Sequence, residues 1–315
     1  MPSVVIATAF GGPEVLSIVD EDTTAPGSGE IRLGVRAAGV NPIDYKMYSG
    51  AFGADPAKLP MRLGYEAAGI VIAVGPDAVG PAGPVQVDDE VIVFPVSGGY
   101  AEELVVPASS VLPKPPQLDW AQAAGLMLTG ATAVHLLTAT GVRQGDTVLI
   151  HGGSGGVGVM AVQLAAARGA RVIATASPAR HDLLRELGAE PVAYGDGLAE
   201  RVRALAADGV DAALDLVGTD EAIDVSLELV ADRGRIATIA GFQRGPQAGI
   251  KVLGAGPGGD AGTDIRDAAR LELLRLAEQG TLRVIVSQTF PLADAAEAHR
   301  MIMTGHSTGK ISLIP

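Results

Sequence analysis

Cysteine is absent from this chain of 315 residues. Its absence removes disulfide frameworks, thiolate metal sites, iron–sulfur clusters and a cysteine nucleophile from consideration. Positive charge is scarce as well: 23 Lys and Arg stand against 36 Asp and Glu, a formal net charge of −13. A phosphate backbone or an anionic membrane surface needs a basic footprint, so neither nucleic acid nor membrane is an expected partner. Long apolar runs are missing too. Spanning a bilayer takes about eighteen or more apolar residues, and the longest candidate, Thr147–Ala167, is broken by His151 and several glycines. The opening Met1–Ser17 has no basic region and no long apolar run, so no signal peptide is read there and a cytoplasmic protein is expected.

What is present is a foldable composition. At 48% hydrophobic and 19% charged, the chain can bury a sizeable core. Its length suggests two domains at about 150 residues each. The 42 glycines and 20 prolines indicate many tight turns. In the first third, Val4–Phe10, Ile31–Val40, Gly69–Val74, Glu90–Phe94 and Glu102–Val106 are short β-branched stretches separated by Gly/Pro clusters, the pattern of an antiparallel barrel or sandwich-like unit. The extended Pro113–Pro116 marks a domain boundary.

Beyond it strands and helices alternate. Trp120–Thr140 reads as one helix. Strand Thr147–Ile150 leads to helix Gly156–Arg168, and strand Arg171–Thr175 to helix Ala179–Leu187. Strands Ala212–Leu216 and Arg235–Ala240 flank helix Glu221–Leu229. This rhythm predicts a doubly wound parallel sheet, an α/β fold. A glycine-rich loop, Gly254–Gly262, is followed by an amphipathic helix at Asp264–Gln279, a strand at Leu282–Phe290, a helix at Ala293–Met303 and a last strand at Lys310–Ile314.

The strongest motif runs from His151 to Gly158. Gly153, Gly155 and Gly158 fit G-x-G-x-x-G, a weak pattern alone but placed here between an apolar strand and a helix. The first glycine allows the tight turn, the second lets a pyrophosphate approach the backbone, and the third lets helix and strand pack closely. Gly153, Ser154, Gly155, Gly156, Val157 and Gly158 are therefore the expected phosphate cradle, with the phosphates on the helix N-terminus. An NAD enzyme would carry an acid about 20 residues on, to accept from the ribose 2′-OH. The chain has Ala176-Ser177-Pro178-Ala179-Arg180 there instead. Ser177 can donate to a 2′-phosphate, Arg180 can neutralise it, and Tyr194 can add a hydroxyl, so NADP(H) is the expected cofactor. The plain alternative for Arg180 is a surface cation paired with Glu186.

Several motifs in order carry a further likeness: Asn41-Pro42-x-Asp44-x-Lys46-x-x-x-Gly50, Gly64-x-Glu66-x-x-Gly69-x-Val71-x-x-Val74-Gly75, Leu128-Thr129-Gly-Ala-Thr132-Ala133, the His151–Gly158 turn, Leu187-Gly188-Ala189, Asp215-Leu-Val-Gly218 and Gly305-His306-x-x-Gly309-Lys310. Over nearly its whole length the chain resembles the medium-chain dehydrogenase/reductase superfamily, and within it the zinc-independent NADPH:quinone oxidoreductase group. The resemblance implies a GroES-like catalytic β-barrel domain from residues 1–118 and 257–315. A Rossmann cofactor domain, 119–256, would be inserted in it, with the active site in the cleft. It also implies a homodimer, with tetramers as a family variant. Zinc-dependent relatives place a Cys near Asn41–Asp44, a His after Gly64 and a Cys near Thr129. Here Tyr65 follows Gly64 and no Cys exists. The five histidines show no ligand spacing. No metal site is expected.

The resemblance assigns roles residue by residue. Asn41–Lys46 lines the nicotinamide and substrate pocket, and Thr129 helps hold the cofactor. Val217 belongs to the cofactor set, Ala240-Gly241-Phe242 flank the nicotinamide ribose, and His306–Lys310 closes over the cofactor. It implies hydride transfer from NADPH to a quinone or to the β-carbon of an α,β-unsaturated carbonyl. The candidate catalytic residues are Asn41, Asp44, Tyr45, Lys46 and Tyr48. Tyr45 or Tyr48 would donate to a developing enolate, and Lys46 would act electrostatically. Plainer roles are also open: pocket-wall aromatics for Tyr45 and Tyr48, an acceptor for loop N–H groups for Asp44, a solvated loop position for His306, a strand-face charge for Lys310. Glu66 is expected to be structural, buried against a cation such as Arg36 or Lys310, and His151 to be a packed ring. Some enoyl reductases of the superfamily use a Tyr where this chain has Phe52. Two other functions are weighed: an enoyl-CoA or haloacrylate reductase, for which Arg244 and Lys251 are the local cations, and a non-catalytic NADPH-binding sensor.

Overall fold

All 315 residues are described by a computed structural model. The chain divides into two units. The first comprises 1–128, 271–279 and 284–315, and the second comprises 129–270 and 280–283.

The first unit is built around the long strand Glu30–Val40. Ile31, Leu33 and Val35 alternate inward, and from Ala37 to Val40 both faces are buried. It pairs antiparallel with Ala67–Val74, with Glu103–Pro107 and with Lys310–Ile314, inside a seven-stranded sheet. The C-terminal strand therefore closes against the N-terminal sheet, with Ile311 opposite Val40. A smaller sheet joins Leu16–Asp20, Ser3–Ala7 and Met61–Arg62. Burying one face of each strand leaves a core of Ile31, Leu33, Val71, Val93, Tyr100 and Leu313.

The second unit is a six-stranded parallel sheet. Numbered along the chain from Thr147–His151, its strands lie in the order 3-2-1-4-5-6, that of a dinucleotide-binding fold. Strands Thr147–His151, Arg171–Thr175 and Ala212–Asp215 are buried almost throughout, as strands covered on both faces must be. Helix Gly156–Ala167 is apolar nearly all round, and Gly158–Ala165 is fully buried.

Several elements differ from the sequence reading. Trp120–Thr140 is two helices, Trp120–Ala123 and Met127–Ala139. The break falls at Gly125, where an added Cβ would lie 3.0 Å from the Lys310 side chain. The strand expected at Leu282–Phe290 begins only at Val286. Strand Ala189–Val192 and helix Leu198–Leu205 were not read from sequence at all. Pro191 sits inside that strand, which is tolerated because the strand lies at the sheet edge.

Candidate cofactor and active-site residues

The glycine turn leaves the end of strand Thr147–His151 with its positive φ at Gly152 (79°), one residue before the glycine to which the motif assigns the tight turn. Gly153 serves packing instead: its Cβ would stand 2.7 Å from Ala174 Cβ. Gly158 is the close-approach position, since a Cβ there would meet Gly152 O at 2.2 Å. Gly155 differs from both. Its Cβ would have only Gly152 O within 4 Å, at 3.5 Å, so the backbone there faces open space. Gly155 is the N-cap of the helix, whose first bond runs from Val159 N to Gly155 O. The N–H groups of Gly156, Val157 and Gly158 thus precede any intrahelical acceptor and suit an anion.

The neighbouring strand ends are arranged by parallel register. Thr175 lies opposite Val192, and Ala176 N donates to Val192 O at 3.0 Å. Ser177 and Tyr194 each lie two residues further along, at the same end of the sheet. Tyr194 is 53% exposed. Arg180 is exposed and has no ion pair, and Glu186 faces Arg283 at 3.8 Å instead.

On the other side of the first strand, Asp215 lies opposite His151 and Thr238. Fully buried, its Oδ1 accepts from Val217 N (3.0 Å) and Gly218 N (2.8 Å), while Thr238 Oγ1 donates to Oδ2 at 2.7 Å. The Thr238 oxygen in turn accepts from Ala240 N (3.1 Å) and Gly241 N (2.8 Å). One buried Asp–Thr pair therefore fixes the loops carrying Val217, Ala240 and Gly241. Phe242 lies against the glycine-rich loop, where a Cβ on Gly256 would meet its ring at 2.3 Å. Thr129 is buried in its helix. His151 Nε2 lies 3.1 Å from Ser226 Oγ, whose own proton goes to Ala222 O, so the imidazole donates. Burial pushes His151 down to about 4.

In the first unit the candidate residues gather at the end of strand Glu30–Val40. Two registers put Glu66 and Lys310 beside Asn41. The Lys310 ammonium, 2% exposed, donates to Glu66 Oε1 (2.8 Å), Asn41 Oδ1 (2.6 Å) and Val40 O (3.1 Å). Glu66 also accepts from Asn41 Nδ2 (3.0 Å) and Leu128 N (2.8 Å). Lys310, not the exposed Arg36, is thus the partner of Glu66. Gly39 makes the room, because its Cβ would lie 2.5 Å from Glu66 Oε1.

Helix Pro42–Tyr48 starts at Asn41. Asp44 is closed inside the unit and accepts from Asn41 N (2.8 Å), Gly64 N (3.2 Å) and Tyr100 Oη (2.9 Å). Tyr100 Oη lies 3.1 Å from His299 Nε2, and Tyr48 Oη 2.7 Å from His299 Nδ1. Since Tyr100 gives its proton to Asp44, His299 Nε2–H donates to Tyr100 and Nδ1 accepts from Tyr48. The hydrogen bonds run in one direction, from Tyr48 through His299 and Tyr100 to Asp44. Burial pushes Asp44 up to about 7, against these donors and the Lys310 charge, and pushes His299 down to about 4. Tyr48 is 1% exposed and does not reach a surface. Tyr45 and Lys46 are only half-buried. Burial raises the Tyr45 phenol and lowers the Lys46 ammonium. His306 lies on an exposed loop.

The first unit also has a groove of about 540 Å³ lined by Ser3, Ile18, Glu102, Phe290, Leu292 and Ile314, none of them a candidate residue. No group of three or more His, Asp or Glu side chains converges to hold a metal. No helix is long and apolar enough to cross a membrane. Sequence reasoning missed Tyr100, His299, Thr238 and Leu128 N, none of which stands in a spaced motif with its partners.

Residues 27–116 match the alcohol dehydrogenase GroES-like domain, and residues 187–313 match the zinc-binding dehydrogenase family. Quinone oxidoreductase of Pseudomonas aeruginosa is 36% identical, over 98% of each chain. Escherichia coli quinone oxidoreductase, solved in complex with NADPH, superposes with a TM-score of 0.84 at 28% identity, covering 99% of this chain and 100% of that one. The CurK enoyl reductase gives 0.85 at 26%, covering 99% of each. The chain belongs to the medium-chain dehydrogenase/reductase superfamily, in its quinone oxidoreductase-like family of NAD(P)H-dependent reductases. It is an enzyme of that family, with a GroES-like N-terminal domain and a Rossmann-type parallel sheet, and without a zinc-binding cluster.

Proposed function

We propose that the protein uses NADPH to reduce a quinone or an α,β-unsaturated carbonyl. The observation that carries the cofactor half is the set Ser177, Arg180 and Tyr194 at two adjacent strand ends, with an unpaired guanidinium and no acid at the position that would bind a 2′-OH. The residues present fit the nucleotide. Gly155 leaves its backbone open, and the N–H groups of Gly156–Gly158 would receive the pyrophosphate. Val217, Ala240, Gly241 and Phe242 would meet the ribose and nicotinamide. When bound, NADPH supplies a hydride, and an acceptor with its own electron sink needs no Lewis acid.

On the first unit, Tyr45 and Lys46 are assigned to the substrate. Burial keeps the Tyr45 phenol protonated, fit to donate to a developing enolate oxygen. Asn41, Asp44, Tyr48 and Lys310 have their polar atoms engaged within the unit, so their part is to hold helix Pro42–Tyr48 in place. The enoyl-CoA reading has less support: Arg244 pairs with Asp220 and Asp224, and Lys251 donates to Ala139 O, so both cations are already occupied.

NADPH consumption measured across quinones, enones and enoyl-CoAs tests the substrate class. No turnover with any quinone or enone, despite tight NADPH binding, would turn the reading to a sensor. Arg180→Ala should weaken NADPH roughly tenfold or more while leaving NADH unchanged, as loss of a charge-assisted contact requires. Equal affinities for the two nucleotides, unaltered in the variant, would sink the cofactor assignment.

A further inference from the structure

The loop between strand Ala189–Val192 and helix Leu198–Leu205 is organised by a single side chain. Arg201 donates from Nε to Ala193 O (3.1 Å), from Nη2 to Ala193 O (2.9 Å) and Gly195 O (2.8 Å), and from Nη1 to Asp196 O (2.7 Å). Three loop carbonyls thus converge on one guanidinium, which has no ion pair with any carboxylate. Gly195 and Gly197 take φ of 94° and 79°, conformations that let the chain wrap this cation. The loop N–H of Gly195 is tied separately, to Glu221 Oε2 at 3.2 Å.

Tyr194 lies between the first two of these carbonyls. With 53% of its surface exposed, the ring has little packing to fix it, so the backbone of residues 193–196 decides where the phenol points. We infer that Arg201 is a positioning residue for NADPH selectivity, holding the Tyr194 hydroxyl at the strand end shared with Ser177 so that it meets the 2′-phosphate. This rests on the proposed NADPH assignment and goes beyond it: Arg201 acts through the loop rather than on the nucleotide. A lysine cannot replace it. Its ammonium is a point charge with three donors and cannot bridge three carbonyls through a planar fork.

The test is the dissociation constants of NADPH and NADH, read by nicotinamide fluorescence for the full chain and for Tyr194→Phe, Arg201→Lys and the double variant. We expect Tyr194→Phe and Arg201→Lys each to weaken NADPH roughly tenfold with NADH unchanged, as for one lost hydrogen bond to a charged group. The double variant should be little worse than either single one, because both remove the same contact. Retained NADH affinity separates positioning from loss of structure. If Arg201→Lys weakens both nucleotides equally, or leaves both unchanged while Tyr194→Phe loses NADPH, the positioning role is overturned and the cofactor assignment stands. If the unaltered protein does not prefer NADPH at all, the assignment itself fails and takes the inference with it. Should Arg201→Lys not fold, Arg201→Gln keeps a planar donor group and is read the same way.

Discussion

Replacing Lys310 by methionine should be among the most damaging single changes in the first unit. Methionine keeps most of the stem that packs over Gly125, so the loss is electrostatic. Three hydrogen bonds of 2.6–3.1 Å disappear, and a carboxylate with no exposed surface is left with two donors, Asn41 Nδ2 and Leu128 N. Removing one partner of such a buried pair costs about 3–5 kcal/mol, because the other charge stays desolvated. Adding Glu66→Gln removes that charge while preserving its shape. The double variant should recover about half or more of the loss, a coupling well outside the additivity expected for independent sites. Trp120 is the only tryptophan and belongs to the first unit, so its fluorescence during urea unfolding follows that unit. A cost below about 1 kcal/mol for Lys310→Met, or simple addition in the double variant, would refute the reasoning, since that is how an exposed pair behaves.

Two further outcomes follow from the same geometry. Gly158→Ala drives a Cβ to 2.2 Å from Gly152 O and should destabilise the second unit by about 1–3 kcal/mol, whereas Gly155→Ala should leave stability unchanged and weaken NADPH binding; thermal unfolding with and without nucleotide separates the two, and equal loss of stability would contradict the assignment. Asp44 titrates near 7 when folded and near 4 when unfolded, so the native state binds its proton more tightly. Its contribution to stability is full below about pH 4 and is lost as pH rises through about 7. His299 acts in the opposite sense: its folded value is depressed to about 4, so its contribution is lost as pH falls from about 6.5 toward 4. Between about pH 4 and 6.5 the two contributions oppose each other, so Asp44→Asn, which leaves His299 alone, should make first-unit stability reported by Trp120 fluorescence rise with pH more steeply there than in the unaltered protein. An unchanged pH profile in that variant would show that Asp44 does not titrate there.

The order of elements in the second unit was legible because parallel strands buried on both faces read as continuous apolar runs, and because Gly153, Gly155 and Gly158 stand between such a strand and a helix. Only the glycine environments separated their tasks: Gly153 is crowded by Ala174 and Leu184, Gly158 by the turn's own backbone at Gly152 and Gly153, Gly155 is nearly open, and the left-handed residue is Gly152. The strand Ala189–Val192 was illegible because Pro191 argues against a strand unless the strand is known to be an edge, and edge position belongs to the sheet rather than to the segment.

The same division holds at the candidate site. Residue types and spacing determined by themselves that thiolate chemistry is absent, that a glycine-rich turn stands between a strand and a helix, and that no acid stands at positions 176–180. Tertiary structure alone decided which polar groups meet. Glu66 finds Lys310 across 244 positions, and Tyr48 finds His299 across 251. Local periodicity carries no record of such pairs, because they are set by which strands and helices the fold brings together. That is why Asp44 and Tyr48, read as possible catalysts from their place in a motif, lie closed within a hydrogen-bonded core, while Tyr45 and Lys46 between them keep part of their surface.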